Sequence, residues 1–93
     1  MTTDFVYRGI TLPPAIKEKI DAYVQDHRPV GDFLRAVIEN DLWRAVGRAD
    51  DENLAALPAI VGYLYNECDY KCWGSPEAYR LWSQQRKLVP KTT

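Results

Sequence analysis

Two segments, one near each end of the chain, carry apolar residues at the three- and four-residue spacing of an α-helix. The first predicts a helix over about residues 14–27, because Pro14 suits the first helical position and Pro29 ends the pattern. The last predicts a helix over about residues 76–87, opened by the Ser75-Pro76 pair. Both predictions therefore rest on proline and capping signals as well as on periodicity.

A second predicted helix covers about residues 31–46. Its apolar positions repeat at helical spacing and are Leu34, Val37, Ile38, Leu42, Ala45 and Val46. Gly47 follows them, at the place where a helix often ends on a left-handed residue. The pattern therefore predicts one helix, central in the fold because it is strongly apolar.

A third predicted helix covers about residues 52–67, with Asp50 or Asp51 as its N-cap. Pro58 lies inside the pattern and has no N–H to donate, so we expect a kink near residues 54–58. Apolar residues step along this helix by three and four, as in a buried seam, at Leu54, Leu57, Val61, Leu64 and Cys68.

The two ends of the chain lie outside these helices. Residues 1–12 are predicted to form a short strand or an extended arm, and residues 88–93 a flexible tail. Short connections join the four predicted helices, as in helix bundles. The expected fold is all-α, a compact bundle of about four short helices in a single domain over residues 1–93, with a short N-terminal arm or strand.

Length and composition agree with one small domain, because two domains within 93 residues would each bury too small a core. The chain is 46% hydrophobic and 27% charged, which excludes a wholly disordered protein. No stretch approaches the ~18 consecutive apolar residues of a membrane-spanning helix. Met1-Thr2-Thr3-Asp4 lacks a basic region before an apolar run, so we expect no signal peptide and no membrane partner.

The formal net charge of −1 hides two charge blocks. Residues 49–69 hold five acidic side chains and no lysine or arginine, which gives −5. Residues 71–93 hold five basic side chains and one acidic side chain, which gives +4. The near-neutral total argues against general binding to nucleic acid. The blocks fit either ordinary solvated helix faces or surfaces that meet a partner of opposite charge.

The residue types offer no constellation for catalysis or metal binding. Cys68 and Cys72 are the only cysteines and His27 is the only histidine, too few for the four ligands of a zinc site. We expect two reduced thiols, one of them packed as a small hydrophobic side chain, and a histidine at a helix end on the surface. The five glycines are scattered, without a phosphate-binding loop. The prediction is a protein that is not an enzyme, with no catalytic residue, metal or cofactor.

Tyrosine and tryptophan concentrate in the C-terminal half of the chain. Six of the aromatic residues lie within residues 63–82, and they are Tyr63, Tyr65, Tyr70, Trp73, Tyr79 and Trp82. Side chains with an apolar body and a polar tip dominate interface hot spots, so this set is the candidate partner-binding surface. The alternative is that they fill the thin core of a small domain. Neighbouring basic residues also allow single-stranded nucleic acid to stack there.

The first half of the chain resembles a ribbon-helix-helix unit. The resemblance rests on Ile10-Thr11-Leu12-Pro13 at the end of a strand, followed by helical segments at 15–21 and 33–39. It implies a dimer whose paired strands enter the DNA major groove. The strand positions that read bases in that family are occupied by Tyr7, Gly9 and Thr11. Base edges favour Arg, Lys, Asn and Gln instead, so nucleic acid is not the favoured partner.

A second resemblance spans about residues 12–82 and is carried by several short motifs. They are Pro29-Val30-Gly31-Asp32-Phe33-Leu34, Glu39-Asn40-Asp41-Leu42, Gly47-Arg48-Ala49-Asp50, Leu64-Tyr65-Asn66-Glu67 and Cys72-Trp73-Gly74-Ser75-Pro76-Glu77. In these the chain is similar to a widespread group of small proteins of bacteriophages, prophages and other mobile elements, which has no assigned activity. The resemblance implies an accessory protein in the bacterial cytoplasm that binds, and redirects or inhibits, a host or anti-phage defence protein.

Six polar residues in these motifs are not explained by packing alone, namely Asn40, Asp41, Arg48, Asp50, Asn53 and Asn66. In a structural interpretation, Asp50 caps a helix and Arg48 pairs with Asp41 or Asp50. In a functional interpretation, the six line a polar pocket beside Tyr65 and Trp73. Three functions stay open: stoichiometric binding of another protein, DNA binding by a ribbon-helix-helix dimer, and binding of a small molecule or nucleotide. A homodimer is compatible with the first.

Overall fold

The N-terminal residues form a hairpin of two short strands. In the computed structural model, which describes residues 4–88, β1 (Val6–Tyr7) pairs antiparallel with β2 (Ile10–Thr11), and Tyr7 lies opposite Ile10. Arg8 and Gly9 connect the strands with φ angles of 51° and 82°. Two positive φ angles define the turn whose twist matches that of paired strands. The predicted arm or strand is therefore a hairpin, and Gly9 marks its turn.

Five α-helices follow within residues 4–88. They are α1 (Pro14–Asp26), α2 (Asp32–Ile38), α3 (Leu42–Arg48), α4 (Asp51–Glu67) and α5 (Pro76–Leu88), and a 3₁₀ turn at Tyr70–Cys72 leads from α4 to α5. The predicted compact, mostly helical fold is confirmed, with a Cα radius of gyration of 13.3 Å. Leu88 ends α5, and the rest of the predicted tail lies outside the described residues.

The segment predicted as one helix over residues 31–46 is two helices, α2 and α3. Asn40 takes the left-handed conformation with φ of 64°, which ends α2. The side chain of Asp41 accepts a hydrogen bond from the N–H of Arg44 at 3.1 Å and caps α3. Asparagine is the commonest substitute for glycine at a left-handed helix end. Asn40 thus ends α2 and Asp41 begins α3. The prediction that a helix ends at Gly47 is wrong, because Gly47 lies inside α3.

Helix α4 begins as predicted and runs without a break. The side chain of Asp50 accepts a hydrogen bond from the N–H of Asn53 at 2.7 Å and caps the helix. Pro58 lies inside α4 without dividing it, so no separate first turn forms near residues 54–58. Pro58 is exposed to solvent, where water can solvate the carbonyl oxygen of Leu54 that the missing N–H leaves free.

The core draws on every helix and on the hairpin. Ile20, Tyr23, Ile38 and Ile60 are fully buried, and they come from α1, α2 and α4. α3 contributes Ala45 and α5 contributes Tyr79. The hairpin is held by close contact with α4, because the ring of Tyr7 packs on the backbone of Gly62, where a Cβ atom would lie 2.6 Å from it. The β1–β2 hairpin therefore covers one edge of α4.

Candidate functional site

The six aromatic residues predicted as a partner-binding surface divide between the interior and the surface. Tyr63 and Tyr79 are buried, and Trp82 and Trp73 are half-buried. Tyr65 and Tyr70 are exposed. Tyr65 and Trp73 come together, with their ring centroids 5.9 Å apart. The candidate surface is therefore reduced to Tyr65, Trp73 and Tyr70.

The inner aromatic residues have their polar atoms satisfied within the fold. Tyr79 stacks on Tyr23 at 5.4 Å, and the hydroxyl of Tyr23 donates to the carbonyl of Cys72 at 2.7 Å. The hydroxyl of Tyr63 donates to the carboxylate of Asp21. Burial, and then the hydrogen bond to Asp21, raises the pKa of the Tyr63 phenol above its ordinary value. These contacts assign the inner aromatic residues to the support of the fold.

Trp82 and His27 connect the two terminal helices. Trp82 donates its indole N–H to the carbonyl of Tyr23 at 3.0 Å, at the end of α1. His27 ends α1 in the left-handed conformation, with φ of 59°, and its Nδ1 lies 2.9 Å from the carbonyl oxygen of Trp82. The histidine is at a helix end as predicted, but it is half-buried rather than on the surface, because α5 packs over it.

Helix α4 is apolar on the side that faces solvent as well as on the side that faces the core. Its inner side buries Ala56, Ala59, Ile60 and Tyr63. Its solvent side carries a row spaced by four, three and four residues, called here the outer stripe, which consists of Leu54, Pro58, Val61 and Tyr65. No residue from 53 to 66 is charged. A helix that is apolar on all sides is typically covered on all sides, yet the outer stripe is not.

The predicted buried seam of α4 is therefore confirmed for Leu64, partly confirmed for Leu57 and Cys68, and wrong for Leu54 and Val61. Leu54 is 46% exposed and Val61 is 49% exposed, whereas Leu64 is buried. Leu57 and Cys68 are half-buried. The seam residues do have helical spacing, as the residues of a buried helix face do. The core, however, packs against the neighbouring face of α4, which is centred on Ile60 and Tyr63. Of the seam residues, Leu54 and Val61 lie on a side of α4 that the described residues 4–88 leave exposed.

A groove of about 350 Å³ runs beside the outer stripe. Val61 and Tyr65 form one wall, Val37 and Trp73 belong to its lining, and Tyr7 reaches it from the hairpin. A smaller pocket of about 60 Å³ shares Val37 and Val61 with the groove and adds further residues of α3 and α4, namely Leu42, Ala45 and Leu57. The groove and its extension place apolar surface from four elements next to the outer stripe.

Helix α3 adds further exposed apolar side chains. Trp43 is 90% exposed, and Leu42 and Val46 are also exposed. Leu42 and Val46 were expected on the buried face of one long helix. Because Asn40 ends α2 and redirects the chain, α3 buries Ala45 instead of Leu42 and Val46. Single exposed apolar residues are common on protein surfaces, but here they lie together on two adjacent helices. Contiguous apolar patches of this kind typically mark interaction sites.

The six polar motif residues do not form one pocket. Asn40 and Asn66 line the groove together with Tyr65 and Trp73, and Asp41 lines its small extension. The side-chain amide of Asn66 donates to the carbonyl of Gly62 within α4 at 2.9 Å. The remaining three, which line neither the groove nor its extension, are Arg48, Asp50 and Asn53. Of the six residues, only Asn40 and Asn66 therefore still fit the functional interpretation of a pocket beside Tyr65 and Trp73.

The structural interpretation is confirmed for Asp50, which caps α4, and is wrong for the predicted partner of Arg48. Arg48 pairs with Asp32 at 3.2 Å, not with Asp41 or Asp50, so the end of α3 is tied to the start of α2. Asp41 pairs instead with Arg44 at 3.3 Å. These are surface ion pairs, each worth little energy, and they fix orientation more than stability. The Asp32 partner was not predicted, because sequence does not show that α2 and α3 fold back on each other.

A buried carboxylate, which the sequence did not reveal, locks the α2–α3 connection. Glu39 is 6% exposed and accepts from Arg35 Nε at 2.7 Å and from an Arg44 guanidinium nitrogen at 2.9 Å. Burial alone would raise the pKa of the Glu39 carboxyl, but the two guanidinium groups outweigh it and hold that pKa below its ordinary value. This network sets the angle at which α3 leaves α2 beside the groove.

The two cysteines are free thiols, and Cys72 is fully buried, as predicted for one of them. Burial raises the pKa of Cys72 to about 11 and that of Cys68 to about 12, which leaves both protonated and weakly nucleophilic at neutral pH. Within residues 4–88, no three or more His, Cys, Asp or Glu side chains are grouped as a metal site. No helix in that range is long and apolar enough to cross a membrane.

The strand positions of the ribbon-helix-helix resemblance lie in the intramolecular hairpin. The ring of Tyr7 faces α4 at Gly62 rather than a second strand pair, and Gly9 forms the turn. Thr11 is exposed opposite Val6. The β1 strand already has its antiparallel partner in β2, whereas that family pairs the strands of two subunits.

The fold and the groove together define a small, mostly helical protein with an uncovered apolar face on α3 and α4. Comparison of the chain with protein-family models, with curated proteins and with solved structures returns no match. The candidate site is therefore defined by the geometry of the outer stripe, the groove and the exposed residues of α3.

Proposed function

We propose that the protein is not an enzyme but a binding protein that forms a stoichiometric complex with another protein through the outer stripe and the groove. One observation carries the proposal: α4 is apolar on all sides, and its outer stripe is open to solvent. Exposed apolar surface of this kind is stabilised when a partner removes it from water. The aromatic pair Tyr65 and Trp73 supplies the residue types that dominate interface energetics.

The resemblance to phage and mobile-element proteins adds a class of partner. It supports an accessory protein that acts in the bacterial cytoplasm on a host or anti-phage defence protein. Inhibition is then the expected consequence of binding, because a stoichiometric binder without catalytic groups acts by occupying a surface of its target.

The test is co-purification of the tagged full chain from bacterial cells, compared between two charge-introducing variants. Val61→Glu places a charge in the middle of the outer stripe, and Leu81→Glu places the same charge at another exposed apolar position, on α5. We expect a saturable partner with the unmodified protein and with Leu81→Glu, and its loss with Val61→Glu. Equal recovery by both variants, or no saturable partner at all, would contradict the proposal.

Binding of a small uncharged molecule is the second candidate function. It is favoured by the groove volume of about 350 Å³, which falls within the range of ligand pockets, and by the polar side chains of Asn40 and Asn66 in its lining. No lysine or arginine lines the groove, so a nucleobase or nucleoside fits better than a nucleotide phosphate. A thermal-shift screen with uncharged nucleosides tests it, and the absence of any shift would remove this candidate.

A further inference from the structure

We propose that the outer stripe and the groove bind an amphipathic helix of the partner protein, with lysine or arginine towards both ends of the apolar row of that helix. This inference rests on the proposed function and specifies the chemistry of the partner. It follows from the shape of the apolar surface, from the charges that surround it and from the poor fit of a second copy of the chain.

The shape of the surface fits a helix. The outer stripe runs from Leu54 to Tyr65 along one side of α4, a length of about 16 Å at the rise of an α-helix. A straight apolar row with a groove beside it accepts a second helix of about three turns, whose own row packs into the groove. Val37 and Trp73 also line the groove and offer further apolar contacts to such a helix.

The charges around the surface are acidic at both ends. Asp51 and Glu52 are exposed at the start of α4, and Glu67 and Asp69 are exposed at its end. No lysine or arginine lies between residues 49 and 69. Arg48, which precedes this segment, is already paired with Asp32. A helix with basic residues towards both ends of its apolar row therefore meets opposite charge at both ends of α4.

A second copy of this chain fits the same surface poorly. If two α4 helices pack antiparallel, Asp51 and Glu52 of one copy approach Glu67 and Asp69 of the other. If they pack parallel, each acidic end approaches its own equivalent. Both arrangements place acidic side chains against acidic side chains, which opposes association. Charge complementarity thus favours a basic partner helix over self-association.

The test uses two synthetic helical peptides with the same leucine row, one flanked by lysine and one flanked by glutamate, titrated with the full chain by fluorescence anisotropy. We expect the lysine peptide to bind at least ~10-fold more tightly than the glutamate peptide in low salt. The difference should shrink at ~0.5 M salt, because exposed charges are then screened. Val61→Glu should abolish binding of the lysine peptide, and Leu81→Glu should leave it unchanged.

A charge-reversed variant that combines Asp51→Lys, Glu52→Lys and Glu67→Lys provides the decisive control, after circular dichroism has verified its helical content. Its preference should move to the glutamate peptide. Retained preference for lysine, equal binding of both peptides or binding of neither would overturn the inference. A dimer of the unmodified chain in light scattering that becomes a monomer in Val61→Glu would identify a second copy as the occupant. If co-purification succeeds while the peptides fail, the proposed function stands and this inference falls.

Discussion

The two long sides of α4 are built from similar residues but have opposite surroundings. The inner side carries Ile60 and Tyr63, which are buried under α1 and the hairpin, with the tyrosine hydroxyl bonded to Asp21. The outer side carries Val61 and Tyr65, which are 49% and 71% exposed. Both sides are apolar and both include a tyrosine. Apolar composition therefore does not distinguish the core of this protein from its exposed surface.

The comparison teaches that the two sides differ in what their apolar residues do for the folded monomer. The inner side stabilises the monomer, because its burial is completed by residues of the same chain. The outer side contributes little to the stability of the monomer and retains its driving force for association. Substitutions on the inner side should therefore change folding, and substitutions on the outer side should change binding.

The largest difference is expected between the neighbouring positions 60 and 61. Ile60→Ala removes a fully buried side chain and leaves a cavity, so we expect a loss of about 2–5 kcal/mol in the free energy of unfolding. Val61→Ala lies on the exposed side and should change that free energy by about 0.5 kcal/mol or less. Urea denaturation followed by circular dichroism measures both. Equal losses would mean that the two sides of α4 do not differ in burial.

The next effect is expected at the connection that places α3 beside the groove. Glu39→Gln removes the carboxylate charge that Arg35 and Arg44 share and should lower the free energy of unfolding by about 1.5–3 kcal/mol at pH 7. Because the pKa of Glu39 is lowered by folding, its contribution is present above its ordinary value of 4.5 and is lost as the pH falls through the folded value.

Denaturant unfolding of the Glu39→Gln variant and of the unmodified protein between pH 7 and pH 3 measures this contribution. The stabilities of the two proteins should converge in acid. A difference that stays constant over this range would contradict the assigned role of the carboxylate.

A smaller effect is expected where the hairpin meets α4. Gly62→Ala introduces a Cβ atom that would lie 2.6 Å from the ring of Tyr7, so the hairpin must move, at a cost of about 1–3 kcal/mol. In a Tyr7→Ala background the same substitution should cost less, because the ring is absent. A double-mutant cycle by thermal unfolding measures the coupling, and strict additivity would argue against this contact.

The smallest pair compares an inner and an outer tyrosine hydroxyl. Tyr23→Phe leaves the buried carbonyl of Cys72 without its donor and should cost about 1–2 kcal/mol. Tyr65→Phe removes a hydroxyl from an exposed side chain and should leave the free energy of unfolding unchanged within about 0.5 kcal/mol. Chemical denaturation distinguishes the two. A larger cost at Tyr65 than at Tyr23 would contradict the contrast between the buried hydroxyl and the exposed one.

The helix ends were predictable because they depend on residues close in sequence. Pro14 opens α1, and Asp50 and Ser75 cap the two helices that follow them, with hydrogen bonds of 2.7 Å and 3.0 Å to backbone N–H groups. The break at Asn40-Asp41 was also encoded locally, but the continuous apolar spacing across it masked the signal. An asparagine in the left-handed conformation followed by a capping aspartate acts over as few residues as the proline and capping signals that were recognised.

The burial of individual residues was less predictable, because it depends on which elements meet. Three of the six aromatic residues expected at a surface, Tyr63, Tyr79 and Trp82, instead support the interior through Asp21, Tyr23 and the end of α1. Arg44, the second partner of Glu39, and Asp32, the partner of Arg48, lie across the α2–α3 connection, and periodicity does not reveal the geometry of that connection. Of the six polar motif residues that one interpretation placed in a pocket beside Tyr65 and Trp73, only Asn40 and Asn66 line the groove that these two aromatic residues share.

By itself, the sequence determined that this chain is mostly helical, where most of its helices begin and end, and that its charge is divided into blocks. Backbone hydrogen bonds, capping side chains and proline act within a few residues, so these features need no distant partner. Only the tertiary structure decided which side of α4 became the core. Both sides are apolar, so burial depended on where α1 and the hairpin packed, and that packing left the outer stripe exposed.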